Sequence, residues 1–238
     1  MIRAVLFDLD NTLVDFIRMK HAGVEAAVAA MADAGLPISE REAERRIYEI
    51  YRECGIEYQE VFDRFLEMLP DAAPRLLAAA VSAYRMARNR YLQPYPGVRE
   101  TLVGLLKRGV RLGVVSDAPR KQAWLRLVDA GLEVFFDAVV AFEDTGKVKP
   151  NPEPFRAAMA LLGAAADETL MVGDWPERDL QGAAAIGVTT VFVRYGGVFD
   201  TARSGADYEI ESPRQLLEIV DRQGAPHPLR STGQLPLL

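Results

Sequence analysis

Short apolar runs recur along the chain, and longer segments with helical periodicity separate them. The runs begin with Val5 and continue at Val110–Ser116, Ala138–Ala141, Thr169–Gly173 and Thr189–Arg194. An unbroken apolar run of this length is typical of a strand that is buried on both faces. Strands that alternate with helices form parallel sheets covered by helices on both sides. The pattern therefore predicts an α/β fold around a doubly wound parallel sheet of about five strands.

Helices are predicted between and after these strands. Their bounds are Val98–Arg108, Lys121–Ala130, Pro152–Leu162, Asp179–Ile186 and Arg214–Arg222. A glycine directly follows each of the first four, which fits the left-handed backbone conformation that often ends a helix. Ser212 and Pro213 predict the start of the last helix, as an N-cap and a first-turn proline.

The segment 15–93 has a different pattern. Apolar residues recur there at helical spacing and predict about four helices, with no run that resembles a buried strand. The Pro-Tyr-Pro-Gly sequence at 94–97 marks the return to alternating strands and helices. We therefore predict a core domain made of residues 1–14 and 94–224, a helical domain inserted at 15–93, and a C-terminal tail at 225–238.

Composition limits the expected partners and location. The 238 residues carry a formal net charge of -6 and no dense lysine and arginine tract, which argues against a nucleic-acid partner. Cys54 is the only cysteine, so an internal disulfide and a cysteine-rich zinc site are excluded. Such cysteine usage fits a reducing compartment, and no apolar run reaches membrane-spanning length. We expect a cytoplasmic protein without a membrane partner, and both a monomer and a homodimer remain open.

Two carboxylates follow the first apolar run. Asp8 and Asp10 are two positions apart, so in an extended chain their side chains point to the same side. They repel each other and raise each other's pKa unless a positive charge lies between them. A hard divalent cation such as Mg2+ meets this need, because it favours carboxylates, waters and phosphate oxygens. Since doubly wound sheets bind ligands beyond the carboxyl ends of their strands, the sequence predicts a metal and phosphate site here.

Four motifs resemble, in order, those of the haloacid dehalogenase superfamily, whose members are mostly Mg2+-dependent phosphatases. They are Asp-Leu-Asp-Asn-Thr at 8–12, Val-Val-Ser-Asp at 114–117, Lys-Pro-Asn-Pro at 149–152, and Gly-Asp at 173–174 with Asp179 five residues later. Each motif is weak alone. All four lie at predicted strand ends or on the loop that enters the next helix, where one shared site requires them. The resemblance covers the core, roughly residues 1–14 and 94–222.

The resemblance implies a Rossmann-like core, a helical cap between the first two motifs, and Mg2+-dependent hydrolysis of a small phosphate monoester. Asp8 would attack phosphorus and form an aspartyl-phosphate. Asp10 would protonate the leaving alcohol and then activate the water that hydrolyses this intermediate. Asp8, the backbone carbonyl of Asp10, and Asp174 would hold Mg2+. A small phosphorylated metabolite is the expected partner.

Two further motifs would supply groups that bind the phosphate. Lys149 would neutralise both the nucleophile and the phosphate, and Lys147 is the competing candidate for this role. Ser116 would bind a phosphate oxygen through its hydroxyl. Asp117 would contribute its backbone N–H, because its carboxylate would repel phosphate.

Asp179 and Trp175 belong to the fourth motif region. By the resemblance, Asp179 would support the water shell of the metal and the lysine, although its place at a helix start also fits an N-cap. Trp175 stands where many relatives carry serine. Its ring would lie at the edge of the site or serve only in loop packing.

Other activities use the same core. A sugar-phosphate mutase would need the same aspartate pair, so it remains an alternative to the phosphatase. A haloacid dehalogenase needs neither a metal nor Asp10 as an acid, and a phosphonate-cleaving relative needs a cap lysine, for which only Lys20 is present. A non-catalytic phosphate-binding or regulatory module would typically lack the nucleophile or the acid, yet Asp8 and Asp10 are both present. We expect the phosphatase.

Overall fold

The computed structural model describes residues 1–70, 73–197 and 203–224. The chain divides into two compact units. The first combines Met1–Val14 with the chain from Pro94 onward, and the second is the continuous segment Asp15–Gln93. The tail predicted at 225–238 lies outside the described residues.

Six parallel strands form the sheet of the first unit. They are β1 (Ala4–Phe7), β2 (Arg111–Val115), β3 (Ala138–Val140), β4 (Thr169–Gly173), β5 (Thr189–Val193) and β6 (Tyr208–Ile210). Their order across the sheet is β3-β2-β1-β4-β5-β6, and every neighbouring pair is parallel. The predicted α/β fold with a doubly wound, Rossmann-like parallel sheet is confirmed.

β1 lies inside the sheet because it has a neighbouring strand on each side. Ala4 pairs with Arg111 of β2 and with Thr169 of β4. All four β1 side chains are buried, as an unbroken apolar run predicts. The strand order reverses between β1 and β4, so the carboxyl ends of these strands form the crevice where doubly wound sheets bind ligands.

Four helices make up the described residues of the second unit. They are α1 (Phe16–Asp33), α2 (Glu40–Cys54), α3 (Val61–Glu67) and α4 (Pro74–Tyr91). One buried apolar cluster draws side chains from all four, among them Val24, Ile47, Phe65 and Leu76. The Ser39 hydroxyl accepts a hydrogen bond of 3.3 Å from the Glu42 N–H and caps α2.

The first unit carries its helices around the sheet. They are α5 (Val98–Lys107), α6 (Arg120–Asp129), α7 (Phe142–Thr145), α8 (Pro152–Leu162), α9 (Gln181–Ala184) and α10 (Gln215–Gln223). Gly163 ends α8 with a φ of 55°, a conformation that residues with a Cβ rarely adopt. In the described part of the chain, no helix combines the length and the apolar character needed to cross a membrane.

Three local features differ from the sequence-based prediction. β6 is a three-residue edge strand whose Glu209 is exposed, so it lacks the apolar run that marks the other strands. The helix predicted at Asp179–Ile186 begins earlier, with a π-helical turn at Pro176–Leu180, and continues as α9. At α10 the Gln215 side chain, rather than a Ser212 hydroxyl, closes the turn by accepting the N–H groups of Glu211 and Ser212.

Candidate active site

The predicted site residues lie at the carboxyl ends of neighbouring strands. Each of three residues directly follows a strand: Asp8 follows β1, Ser116 follows β2 and Asp174 follows β4. The hydrogen bonds between strands continue through Asp8 and Ser116. The Asp8 N–H donates to the Val172 carbonyl and the Ser116 N–H donates to the Val140 carbonyl, each at 2.9 Å. These hydrogen bonds fix the backbone from which the side chains project. The structure therefore brings three motifs to one edge of the sheet.

Three buried carboxylates converge at this edge. Asp8, Asp174 and Asp179 each offer an oxygen atom, and these oxygens lie within 4.8 Å of one another. Asp179 reaches the group from the π-helical turn, where its Oδ2 accepts the Trp175 N–H at 3.0 Å. Gly173 permits this approach, because a Cβ there would lie 2.5 Å from Asp179 Oδ2. The close packing of Asp179 against the backbone at Gly173 therefore requires a residue without a side chain there.

Lys149 brings a positive charge into this group. Its Nζ donates to Asp8 Oδ1, forms an ion pair of 2.7 Å with Asp179 Oδ1, and donates to the Val115 carbonyl at 3.0 Å. The side chain is buried. Its backbone N–H donates to Asp117 Oδ1 at 2.8 Å, which anchors the loop before α8. Of the two lysines considered, the structure places Lys149 against Asp8.

The charges in the group do not balance. Burial raises the pKa of Asp8 well above its ordinary value, and Asp179 and Asp174 raise it further against the opposing effect of Lys149. Burial and the Asp179 carboxylate raise the pKa of Asp174 to about 7, again against Lys149. Burial lowers the pKa of Lys149, but Asp179 and Asp8 outweigh it, so the net shift is upward. One ammonium thus faces three carboxylates.

A divalent cation fits this donor set. The available ligand atoms are hard carboxylate oxygens, which Mg2+ prefers, and they are clustered tightly enough to share one ion. Burial, and after it the neighbouring carboxylates, raise the pKa values of Asp8 and Asp174, and a bound cation would lower both. The Thr12 hydroxyl lies 3.5 Å from Asp174 Oδ1 and helps to orient that carboxylate.

Asp10 forms an ion pair with Arg126, a residue outside the four motifs. Its Oδ2 accepts a hydrogen bond from the guanidinium of Arg126, which is buried on α6. One sequence signal was available, because Arg126 shares its helix face with the buried residues Ala123 and Leu127. An arginine at an apolar position of a helix usually has a specific partner. The pattern did not identify which partner.

Asp117 also has partners that the motif does not reveal. One carboxylate oxygen accepts the Lys149 N–H, and the other pairs with the Arg178 guanidinium. Arg178 in turn stacks on the Trp175 ring at 4.6 Å from its centroid. The negative charge expected to repel phosphate is therefore offset by an arginine. Ser116 directs its Oγ to the Ala118 N–H at 3.2 Å, which shapes the turn after β2.

Known proteins share both the sequence pattern and the fold. The family model described as haloacid dehalogenase-like hydrolase matches residues 5–193. A glyceraldehyde 3-phosphate phosphatase from Methanopyrus kandleri is 38% identical, over 92% of this chain and 97% of its own. One of the same name from Pyrococcus furiosus is 32% identical, over 98% of this chain and 99% of its own. The crystal structure of a HAD phosphatase from Thermococcus onnurineus superposes with a TM-score of 0.73 at 28% identity, covering 95% of this chain and 100% of its own.

Proposed function

The chain belongs to the haloacid dehalogenase-like hydrolases, and on this premise we propose that it is an Mg2+-dependent phosphatase acting on a small phosphate monoester. The predicted family and the predicted enzyme class, a hydrolase, are confirmed by the family match. The roles of individual residues and the identity of the metal remain part of the proposal. Within it, residues 1–14 and 94–224 form the catalytic core, and residues 15–93 form the cap domain.

One observation carries the proposal: Lys149 is buried in contact with Asp8 and Asp179, beside Asp174. A lone structural ion pair needs one carboxylate for one ammonium, whereas this group has two carboxylates in excess. Burying unbalanced charge is costly, so it needs a functional reason. A divalent cation would offset the two excess negative charges, and Lys149 and the cation would then both be placed to face a bound phosphate.

The reaction we propose starts with attack by an Asp8 oxygen on phosphorus. The new P–O bond forms as the bond to the substrate's ester oxygen breaks, and Asp10 supplies the proton that this oxygen takes up. Asp10, now a carboxylate, removes a proton from water. That water attacks the phosphorus of the aspartyl-phosphate and releases inorganic phosphate. Asp8 and protonated Asp10 are thereby restored.

The surrounding residues would hold the phosphoryl group in place. Lys149 would offset charge on Asp8 and on the phosphate oxygens, and Ser116 with the Asp117 N–H would orient a phosphate oxygen. The carboxylates of Asp8 and Asp174 and the backbone carbonyl of Asp10 would hold Mg2+. When bound, this ion supplies positive charge that offsets the non-bridging phosphate oxygens. Asp179 would keep Lys149 and the metal's water ligands in position.

A small metabolite is the substrate class we propose. The two relatives named above are glyceraldehyde 3-phosphate phosphatases, and both align over more than nine tenths of this chain. Glyceraldehyde 3-phosphate is therefore the first substrate to test. Phosphoglycolate, a pentose phosphate, pyrophosphate and p-nitrophenyl phosphate extend the panel in size, charge and leaving group.

The test is phosphate release from this panel with Mg2+, with EDTA, and by the Asp8→Asn protein. We expect release that needs both the metal and Asp8, because the asparagine amide is not a nucleophile. Asp63→Asn makes the same chemical change at an exposed position of α3 and should leave the rate unchanged. Release that continues in the Asp8→Asn protein at the wild-type rate would overturn the mechanism. A folded wild-type protein that binds Mg2+ but hydrolyses no member of the panel would overturn the phosphatase.

A further inference from the structure

Arg126 is buried inside the first unit although it carries a permanent charge. Its side chain is only 5% exposed, and its guanidinium forms a direct ion pair with Asp10 Oδ2. An arginine is almost never buried without a specific partner, since desolvating the charge costs several kcal/mol. The motifs explain the aspartate of this pair, but no motif includes Arg126.

The pair joins two elements that are far apart in the chain. Asp10 lies on the loop after β1, and Arg126 lies in the last turns of α6, 116 positions later. Ala123 and Leu127 are buried on the same face of α6 and anchor the helix. The guanidinium is therefore presented by a fixed helix, whereas Asp10 is on a loop and its side chain is 21% exposed. The guanidinium on the helix therefore sets the orientation of the Asp10 carboxylate.

We propose that Arg126 is the positioning residue of the acid–base carboxylate. By holding Oδ2 of Asp10, it directs the other oxygen, Oδ1, to deliver and collect the proton during turnover. A displacement of about 1 Å in such a group can cost on the order of 100-fold in rate, so a fixed orientation has a large effect. This inference rests on the proposed phosphatase function and adds a residue to it.

The leaving group distinguishes positioning from packing. An alkyl phosphate releases an alkoxide-like oxygen that needs the Asp10 proton as the P–O bond breaks. p-Nitrophenyl phosphate releases a phenolate that delocalises its charge and leaves without a proton. Because kcat/KM reports only steps up to the first irreversible one, a defect in Asp10 positioning lowers kcat/KM for the alkyl ester and spares it for the aryl ester.

The experiment combines Arg126→Gln with Asp10→Asn in a double-mutant cycle. We expect Arg126→Gln to lower kcat/KM for the best alkyl phosphate by about 10–100-fold, within the usual contribution of general acid catalysis. The loss for p-nitrophenyl phosphate should stay below about threefold on the same argument. In the Asp10→Asn background, Arg126→Gln should cause no further loss, because the group it positions is already gone.

Two further variants and a metal-binding measurement separate positioning of Asp10 from other effects. Arg120→Gln removes an exposed ion pair with Asp144 from the same helix and should leave both substrates unaffected. Calorimetric titration should show that Arg126→Gln binds Mg2+ as tightly as wild type, since the pair involves the Asp10 side chain and not its backbone carbonyl. Arg126→Lys keeps the charge without the planar guanidinium and should lose less activity, again only on the alkyl ester. If Arg126→Gln fails to fold, Arg126→Lys carries the same cycle.

Several results would overturn the positioning role of Arg126. Equal losses on the alkyl and aryl esters, or the same loss with and without Asp10, mean that Arg126 acts through packing and overturn the inference. Weakened Mg2+ binding in Arg126→Gln also overturns it. Failure of the wild-type protein to hydrolyse either ester overturns the proposed function instead, so the two failures are distinguishable.

Discussion

Each of the two units buries one lysine, and they hold its charge in different ways. In the first unit, Lys149 is 4% exposed and contacts the carboxylates of Asp8 and Asp179. In the helical unit, Lys20 is 6% exposed, with its Nζ 4.4 Å from the Tyr51 ring centroid and 5.6 Å from that of Tyr84. It also donates to the Tyr51 hydroxyl at 3.3 Å. Lys149 is therefore paired with carboxylates, whereas Lys20 lies against aromatic rings.

Both environments are tightly packed, but they differ in the charges that surround the lysine. Around Lys20 the helices pack tightly, since a Cβ on Gly23 would lie 2.6 Å from the Tyr84 ring. Aromatic rings attract a cation without carrying a formal charge, so Lys20 is stabilised without carboxylates converging on it. Around Lys149, three carboxylates face one ammonium, and burial together with the neighbouring carboxylates raises the pKa values of Asp8 and Asp174. Burial of a lysine therefore does not by itself mark a site, whereas several buried carboxylates that converge on it do.

Replacing each lysine by methionine should give the largest contrast. Lys149→Met keeps most of the side-chain volume but removes the charge that offsets Asp8 and phosphate. We expect kcat to fall by at least about 100–1,000-fold, the usual cost of losing one electrostatic contact to a transition state. Lys20→Met removes a cation from an aromatic environment and should leave kcat at the same order of magnitude. Steady-state phosphate release measures both, and equal losses would remove the distinction.

Neutralising one excess carboxylate should separate stability from function. Asp174→Asn should abolish tight Mg2+ binding. In the metal-free protein it should instead raise the free energy of unfolding near neutral pH by about 1–3 kcal/mol, since a shift of one pKa unit corresponds to about 1.4 kcal/mol. The reason is that the raised pKa of Asp174 reflects an unfavourable buried charge. Chemical denaturation in EDTA tests this, with the exposed Asp63→Asn as control. A destabilised Asp174→Asn protein would show that the carboxylates do not repel.

The same imbalance predicts a pH dependence of a definite sign. The pKa of Asp174 is about 7 in the folded protein against an ordinary value of 3.8, so the folded state binds more protons than the unfolded state between these values. The stability of the metal-free protein should therefore fall as pH rises through this window. Saturating Mg2+ should remove most of the slope. Thermal unfolding at a series of pH values measures it, and a slope unaffected by Asp174→Asn would contradict the assignment.

Removing one hydroxyl from the aromatic environment should have the smallest effect. Tyr51→Phe keeps the ring beside Lys20 and removes only the hydrogen-bond acceptor, so a loss of about 0.5–1.5 kcal/mol in unfolding free energy is expected. Tyr58→Phe is the matched control, because it makes the same change on a half-buried ring that packs against the same apolar cluster. Equal losses in the two variants would mean that the hydroxyl of Tyr51 contributes nothing special to holding Lys20.

The sequence could predict what depends on periodicity and chain order. The buried strands were recognisable from apolar runs, and parallel strands bring their carboxyl ends together, so the neighbourhood of Asp8, Ser116 and Asp174 followed. The roles of these residues stay predictions. The partners Arg126 and Arg178 could not be foreseen, because a contact between Asp10 and α6 depends on how that helix is rotated on the sheet.

Two shorter elements could not be predicted from the sequence, for related reasons. β6 exposes Glu209 at the edge of the sheet and therefore has no apolar run. The hydrogen bonds of the π-helical turn at Pro176–Leu180 span one residue more than those of an α-helix, a difference that hydrophobic spacing over five residues cannot resolve. Such details depend on individual side-chain contacts, here the local hydrogen bond from the Trp175 N–H to Asp179.

The position of β1 between β2 and β4 has a consequence for the growing polypeptide. β1 is synthesised first of the six strands, but β4, its neighbour at the proposed site, begins only at Thr169. At about 5–20 residues per second, a ribosome needs on the order of ten seconds to reach it. The segment α1–α4 is complete long before then and takes its whole buried cluster from one continuous stretch. During translation, the apolar first strand therefore waits for its partners while the helices that follow it can already pack.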